Sequence, residues 1–281
     1  MPRASAPASA ANLGPGFDVL ALALELRCSV TAVPADRWEV VHTGPEQPLG
    51  GDDLVLEAAQ RARGDEGPLS ITVDNNIPIG RGLGSSAATA AAAAGAAWRT
   101  RGWEPHPRTI FELVADMEDH PDNAAAAVFG GLVLCTPDGQ VHNLVLHPSL
   151  VPVVAIPERQ LATTEARSLL PETFTRQVVV RSLGRVAALL AGLTSGEPAL
   201  LTAATGDELH EGPRNQHRPE VAKLIDVAKG AGALHACWSG AGPSVLALVP
   251  EDSAPTLVEA LSLEVYPGIV RRFQVATTGL I

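Results

Sequence analysis

A glycine-rich turn that leads directly into a run of alanine constrains this chain more than any other feature. The segment PIGRGLGSSAATAAAAAG covers residues 78–95, and alanine has the highest helix propensity of all residues. The pattern predicts a stiff helix of small cross-section that packs close against a sheet. Gly82 and Gly84 carry no side chains, so the backbone can curl just before the helix begins.

The start of this helix is a candidate anion site. The first turn of a helix leaves N–H groups without intrahelical partners, and the helix dipole adds partial positive charge. We expect Ser85 and Ser86 to cap the helix and to offer hydroxyls to a phosphate or a metal ion. The pattern is equally typical of a serine-capped structural helix, so both interpretations stay open at this point. No lysine follows the glycines, which excludes a Walker A loop.

Composition narrows the class of protein. The 281 residues carry a net charge of −11 without a basic run, which argues against nucleic-acid binding. The only lysines are Lys223 and Lys229, so arginine must supply any cationic chemistry earlier in the chain. Cys28, Cys135 and Cys237 show no paired spacing, which is typical of buried free thiols in a reducing cytoplasm.

Targeting signals are not evident in the sequence. The longest apolar segment, around residues 87–98, is too short to cross a bilayer and ends at Arg99. The first residues lack the basic region and continuous apolar core of a secretory signal. We therefore expect a cytoplasmic protein without a membrane partner.

Strand-like and helix-like segments are mixed along the chain without a strict βαβ rhythm. Residues 18–26 and 29–34 read as two strands around a bend, and residues 130–147 read as a hairpin. Amphipathic helical patterns dominate after residue 157. The pattern predicts an α+β protein in two lobes, residues 1–150 and 151–281.

Further small-residue and polar segments accompany the glycine loop. NLGPGFD covers residues 12–18, EDHPDN covers residues 118–123, and SGAGPS covers residues 239–244. Two arginine-bearing segments lie between the last two, TTEAR ending at Arg167 and DELHEGPR ending at Arg214. Each segment alone has a structural explanation. Together with the glycine loop they form six ordered segments, which is a far more specific signal than one loop.

These six segments resemble the GHMP family of small-molecule kinases, and most closely its homoserine kinase branch. The resemblance extends from residue 6 to about residue 249. It implies a two-lobed GHMP kinase fold with an N-terminal lobe like the second domain of ribosomal protein S5 and a ferredoxin-like C-terminal lobe. ATP would lie in the cleft between the lobes, and two copies would form a homodimer.

The resemblance also implies roles for individual residues. ATP phosphates would contact Pro78, Arg81, Gly82, Leu83, Gly84, Ser85 and Ser86. Mg²⁺ would bind Ser86 and Glu118, which count as catalytic together with Asp18. The amino-acid substrate would contact Asn12, Asp18, His120, Arg167 and Arg214, with the two arginines on its carboxylate.

Several roles stay open at the level of the sequence. Asp18 could bind the substrate's ammonium group or orient its hydroxyl. Asp122 is a general base by residue type, but a capping or loop-fixing role is the interpretation we favour. Asp119 stands where these kinases commonly have glycine, which places an additional anion beside the expected metal ligand.

The implied reaction is transfer of the γ-phosphate of ATP to the side-chain hydroxyl of L-homoserine. Such a transfer depends on alignment and charge neutralisation and can proceed without a strong base. Two alternatives remain. One is a sibling kinase that acts on another small hydroxy acid or alcohol, and the other is a kinase-fold protein that binds ligand without turnover.

Overall fold

The computed structural model describes residues 1–48, 53–118 and 120–281. The strands are β1 (Arg3–Ala11), β2 (Leu20–Pro34), β3 (Glu39–His42), β4 (Leu69–Asn75), β5 (Leu132–Cys135), β6 (Val141–Leu144), β7 (Leu150–Pro157), β8 (His235–Trp238), β9 (Val245–Pro250) and β10 (Gly268–Arg272). The helices are α1 (Asp53–Arg63), α2 (Ser85–Arg99), α3 (Pro107–Glu118), α4 (Pro121–Phe129), α5 (Thr163–Ser168), α6 (Arg176–Ser195), α7 (Pro198–Ala203), α8 (Glu211–His217), α9 (Pro219–Gly230) and α10 (Ala254–Glu264).

The first sheet is built around the long strand β2. Its order is β3-β4-β2-β5-β6, with β1 also paired to β2, and only the β3–β4 pair is parallel. The sequence predicted two strands around a bend, but β2 runs through that point without interruption. A bulge replaces the bend, because Pro7 pairs with Arg27 whereas Ala8 pairs with Leu24. A bulge adds twist to a strand without ending it.

Helix α2 lies in the centre of the N-terminal lobe, as the alanine run predicted. Nearly all of its residues from Ser85 to Ala97 are buried, against α1, β1 and β2. A Cβ at Gly95 would lie only 3.1 Å from the Cβ of Ala4 on β1. Larger side chains at these positions would push the helix away from the sheet.

The second sheet has the order β10-β7-β9-β8 and is antiparallel throughout. Helices α9 and α10 cover it, and their Val221, Leu224 and Leu257 pack on buried strand residues such as Val153 and Val249. Two antiparallel-rich sheets with helices packed on them form the α+β arrangement that the sequence predicted.

The two lobes contact each other through their glycine-rich segments. The Ser239 hydroxyl donates a hydrogen bond to the Gly82 carbonyl at 2.7 Å. A Cβ at Gly82 would overlap the backbone of Ser239 and Gly242. This close approach creates a cleft with the glycine loop on one side and the SGAGPS segment on the other.

Candidate active site

The cleft between the lobes brings the predicted site residues together. Its volume of about 310 Å³ is within the usual range for small-molecule sites. The predicted residues that line it are Asn12, Asp18, Pro78, Gly82, Leu83, Gly84, Ser85, Ser86, Glu118, His120, Arg167 and Arg214. Arg81 is different, because its guanidinium donates to the Glu158 carbonyl at 3.2 Å and lies 3.5 Å from the Glu46 carboxylate. Arg81 is not among the residues that line the cleft, although its partner Glu46 is, and its contact with the phosphates stays a prediction.

The glycine loop presents the start of α2 to the cleft. The helix cap is Gly84, with a φ of 64° and no capping side chain, so the prediction that serines cap this helix is wrong. The helical hydrogen bonds begin with the Ala88 N–H, which donates to the Gly84 carbonyl. The N–H groups before Ala88 therefore precede the helical ladder, at the positive end of the helix dipole. This arrangement suits an anion such as phosphate.

The two serines have different environments. The Ser85 hydroxyl is buried, donates to the Ile77 carbonyl at 3.2 Å and accepts from the Asn75 side chain at 3.0 Å. The Ser86 hydroxyl donates to the Glu118 carboxylate at 3.0 Å. Only Ser86 therefore joins the acidic side of the cleft.

Ser86 and Glu118 form a pair of hard oxygen donors. Burial raises the pKa of Glu118, while the Ser86 hydrogen bond and His120 oppose that rise. A buried carboxylate of this kind gains from a nearby cation. In the described parts of the chain, no three His, Cys, Asp or Glu side chains cluster to hold a metal. The pair suits Mg²⁺, which takes few protein ligands and completes its shell with phosphate and water. Asp119 lies outside the described residues.

The cleft also holds a charge pair that involves a strained loop. The Arg167 guanidinium donates to both carboxylate oxygens of Asp18, at 2.6 and 3.2 Å. Asn12, Leu13 and Asp18 all have positive φ values, between 50° and 69°. Left-handed conformations at residues other than glycine are concentrated at functional sites. The Asn12 amide helps to hold this loop, since it donates to the Gly240 carbonyl at 3.0 Å.

His120 and Asp122 form a buried pair beside Glu118. The His120 Nδ1 lies 3.2 Å from the Asp122 carboxylate, which also accepts the Asn123 N–H at 2.7 Å. Burial acts to lower the pKa of His120, but the Asp122 hydrogen bond and the charges of Asp122 and Glu118 raise it overall. Asp122 is not the cap of α4, because that position belongs to His120. Its contacts support the loop-fixing role and leave it engaged with protein groups.

Arg214 lies deeper than Arg167, on helix α8. Its side chain is buried and donates to the Gly240 carbonyl at 3.0 Å and to the His210 Nδ1 at 2.9 Å. Burial, followed by the nearby Arg167 charge, lowers the pKa of Arg214 to about 10. Two guanidinium groups that line one cleft suit a carboxylate.

Sequence reasoning missed two groups of lining residues. One is a wall of apolar and polar side chains, and it includes His42, Leu54, Val55, Val73 and Asn75. These residues come from separate elements that show no shared motif. The other comprises Phe17, which lines the cleft, and His210 beneath it. Both lie within the six ordered segments, and the i, i+4 spacing of His210 and Arg214 was the available signal.

Comparison with known families identifies the class. The family described as GHMP kinases N terminal domain matches residues 53–131, and the family described as GHMP kinases C terminal matches residues 187–268. The chain belongs to the GHMP kinase family. Its fold is similar to a crystal structure of mevalonate kinase, with a TM-score of 0.74 at 14% identity over 98% of this chain and 99% of the other. The predicted two-lobed fold is confirmed.

More similar relatives share one activity. The chain is 37% identical to the homoserine kinase of Moorella thermoacetica over 257 residues, covering 88% of this chain and 87% of that protein. It is 41% identical to the homoserine kinase of Leifsonia xyli over 256 residues, covering 86% and 79%. The crystal structure of homoserine kinase from Cytophaga hutchinsonii superposes with a TM-score of 0.87 at 26% identity, covering 99% and 96%.

Proposed function

We infer that the chain transfers the γ-phosphate of ATP to the side-chain hydroxyl of L-homoserine, giving O-phospho-L-homoserine and ADP. One observation carries the choice of acceptor. Arg167, Arg214 and Asp18 line the same cleft as a helix N-terminus suited to phosphate, and Arg167 pairs with Asp18. Two cations and one anion complement the carboxylate and ammonium groups of an amino acid. The relatives compared above are homoserine kinases, and we assign the product of this chain, O-phospho-L-homoserine, to threonine synthesis.

The donor end holds the nucleotide through backbone and hard oxygen groups. Gly82, Leu83 and Gly84 line the cleft with the start of α2 and would contact the phosphates, with Pro78 beside them. Ser86 and Glu118 would hold Mg²⁺, which would neutralise charge on the phosphates. The Ser86–Glu118 hydrogen bond keeps both donors in place beforehand.

The acceptor end orients the substrate. Arg167 and Arg214 bind the carboxylate, while Asn12 and His120 border the reacting end. Asp18 binds the ammonium group or orients the hydroxyl. In the described structure Arg167 and Asp18 neutralise each other, and a zwitterionic substrate offers each of them an opposite charge in exchange.

The chemical step needs alignment more than a base. The hydroxyl oxygen forms a bond to the γ-phosphorus, the bond from that phosphorus to the bridging oxygen breaks to release ADP, and the hydroxyl proton passes to a phosphoryl oxygen or to water. Asp122 is committed to His120 and to the Asn123 N–H, and we assign no general base. Phosphoryl transfer through a loose transition state is compatible with this arrangement.

The decisive experiment measures ADP production with Mg²⁺-ATP and L-homoserine, beside L-threonine, L-serine, mevalonate and pantoate. Turnover on homoserine alone is expected. Glu118→Gln keeps the shape of the side chain but removes its charge, and we expect turnover to fall by about 100-fold or more while nucleotide still binds. Turnover on a different acceptor would support kinase activity but refute L-homoserine as the substrate. ATP binding without turnover on any acceptor would favour a ligand-binding protein.

We also propose that the chain works in the cytoplasm as a homodimer. Each protomer has two lobes, which are divided near residue 150.

Helix α6 alone among the described helices is long and apolar enough to cross a membrane, by length and composition only. Its Arg181 and Arg185 pair with Glu208, and its other half packs on α7, which supports a surface helix. Val180 and Leu183 stay exposed on it. Leu183→Glu should shift sedimentation from dimer to monomer, and an unchanged dimer would exclude this face.

A further inference from the structure

A fully buried histidine lies behind the acceptor end of the cleft. His210 has 0% exposure and contacts two parts of the site at once. Its Nδ1 lies 2.9 Å from the guanidinium of Arg214, and its Nε2 lies 2.8 Å from the carbonyl of Gly14. Gly14 belongs to the strained loop that carries Asn12 and Asp18. One side chain therefore connects the buried arginine with the substrate loop of the other lobe.

The partners determine the protonation state of His210. A guanidinium only donates hydrogen bonds, so Nδ1 must accept, and a carbonyl only accepts, so the proton must be on Nε2. A neutral ring with that tautomer satisfies both contacts, whereas a protonated ring would direct an N–H at Arg214. Burial lowers the pKa of His210 to about 4, with Asp207 opposing the shift and Arg214 adding to it, which keeps the ring neutral.

An aromatic contact extends the arrangement to the second arginine. The His210 ring stacks on Phe17, with centroids 5.0 Å apart and planes 24° apart. The guanidinium carbons of Arg167 and Arg214 lie 5.4 and 5.9 Å from the Phe17 ring centre. Both distances are within the range of cation–π attraction. The Phe17 ring, stacked on His210, thus attracts both guanidinium groups and offsets part of the repulsion between their positive charges.

We propose that His210 is a positioning residue for recognition of the substrate carboxylate, holding Arg214 and the Phe17 ring so that both guanidinium groups face the acceptor end. The proposal rests on the proposed function for the identity of the acceptor. It adds that carboxylate binding depends on a neutral side chain that touches no substrate atom.

The test compares His210→Gln with His210→Asn. The glutamine amide reaches the Nε2 position and keeps the donor to Gly14, but it leaves Arg214 without its acceptor. The shorter asparagine places its oxygen at the Nδ1 position, so it restores the contact with Arg214. Hydrogen bonds that involve a charged group are worth more than neutral ones, so we expect KM for homoserine to rise by about 10- to 100-fold in His210→Gln. The rise in His210→Asn should be smaller, and KM for ATP should change little in both.

His235 provides the matched control. It is also buried, and its Nε2 lies 3.0 Å from the carbonyl of Leu13, the residue next to Gly14, but within the described residues no hydrogen bond joins it to an arginine. His235→Gln should therefore affect stability more than KM for homoserine. Equal rises in KM for His210→Gln and His235→Gln would mean that the loop, and not Arg214, carries the effect, and would overturn the proposal.

Two further readouts separate this proposal from the proposed function. The acceptor 3-amino-1-propanol is homoserine without its carboxylate, so its KM should be the same in wild type and both His210 variants, within about 2-fold. Failure of the wild type to phosphorylate homoserine would refute the function itself. Nitrogen NMR reports the protonation state and tautomer of each imidazole ring and needs no substrate. The signals of His210 are assigned as those that disappear in His210→Gln. A charged ring or an Nδ1-protonated tautomer would refute the positioning role even in an active kinase.

Discussion

At the scale of single residues, Gly84 shows why the proposed phosphate site at the start of α2 requires a residue without a side chain. Its φ is +64°, and a Cβ there would overlap the Ser9 hydroxyl. That hydroxyl donates to the Asn123 side chain at 2.7 Å, so it cannot move without breaking a contact with the first turn of α4. Left-handed conformation and close packing therefore both require glycine at this position.

Gly64 allows the two requirements to be separated by experiment. It has a φ of +65°, and a Cβ added there would meet nothing within 4 Å. Gly64→Ala should lower the free energy of unfolding by about 1–2 kcal/mol from the left-handed conformation alone. Gly84→Ala should lower it by a further ~1–3 kcal/mol through overpacking, and should raise KM for ATP. Urea titration and steady-state kinetics measure both. Equal losses of unfolding free energy in the two variants would show that the Ser9 side chain moves aside at no cost.

At the scale of elements, helix α8 carries buried ionisable groups that make stability depend on pH. Burial raises the pKa of Glu211 to about 7 from an ordinary value of 4.5, with the Trp238 N–H at 2.7 Å opposing the rise and Asp207 adding to it. The folded protein therefore keeps a proton that the unfolded chain releases. This contribution to stability is fully present below pH 4.5 and is lost as the pH rises through 7.

His210, at the start of the same helix, destabilises the fold as the pH falls, and it does so in a lower pH range than Glu211. Burial lowers its pKa to about 4 from 6.5, so its contribution to stability decreases only as the pH falls below 6.5. Between pH 6.5 and about pH 8.5 the contribution of His210 is therefore constant. The raised pKa of His120 lies in or above this window, but His120 titrates in the wild type and in Glu211→Gln alike, so the difference between these two proteins isolates Glu211.

We expect the wild type to lose more stability across this window than Glu211→Gln, which keeps an acceptor oxygen for the Trp238 N–H. Urea titrations at both ends of the window measure the difference. Parallel losses in the two proteins would show that Glu211 is already ionised at the lower pH.

At the scale of the whole molecule, the last residues of the chain return from the second lobe to the first. Ser5 and Ile281 exchange backbone hydrogen bonds, and Leu280 donates to the carbonyl of Val128. Arg27 holds this tail, because its guanidinium donates to the carbonyls of Thr278 at 2.7 Å and of Gly279 at 3.0 Å. The tail thereby covers the β1 edge of the first sheet and protects it from other chains.

Arg27→Ala should release the tail. It removes charge-assisted hydrogen bonds from two backbone carbonyls, so we expect a loss of about 1.5–3 kcal/mol in stability. Hydrogen exchange at the Leu280 and Ile281 amides should accelerate. Arg3 is the control, because its side chain is exposed and, among the described residues, hydrogen-bonds only to Ser29, at 3.3 Å. Arg3→Ala should change stability by less than about 0.5 kcal/mol. Unchanged exchange at the tail in Arg27→Ala would show that the sheet edge holds it without Arg27.

The residues that carry chemistry and the segment that forms the central helix could be predicted from the sequence alone. An alanine run after glycines favours a buried helix in any context, and hard oxygens and guanidinium groups suit phosphate, Mg²⁺ and carboxylate wherever they meet. The α+β class and nearly every predicted residue of the cleft were therefore accessible without a structure. The resemblance across six segments supplied the topology, which periodicity alone does not specify.

The directions of those side chains, in contrast, depend on the tertiary structure. Ser85 faces inward because Ile77 and Asn75 satisfy its hydroxyl, and the guanidinium of Arg81 is held by the Glu158 carbonyl and the Glu46 carboxylate. The role of His210 depends on Gly14, which is 196 positions away in the chain. Such contacts depend on the packing of distant segments, and local pattern does not contain that information.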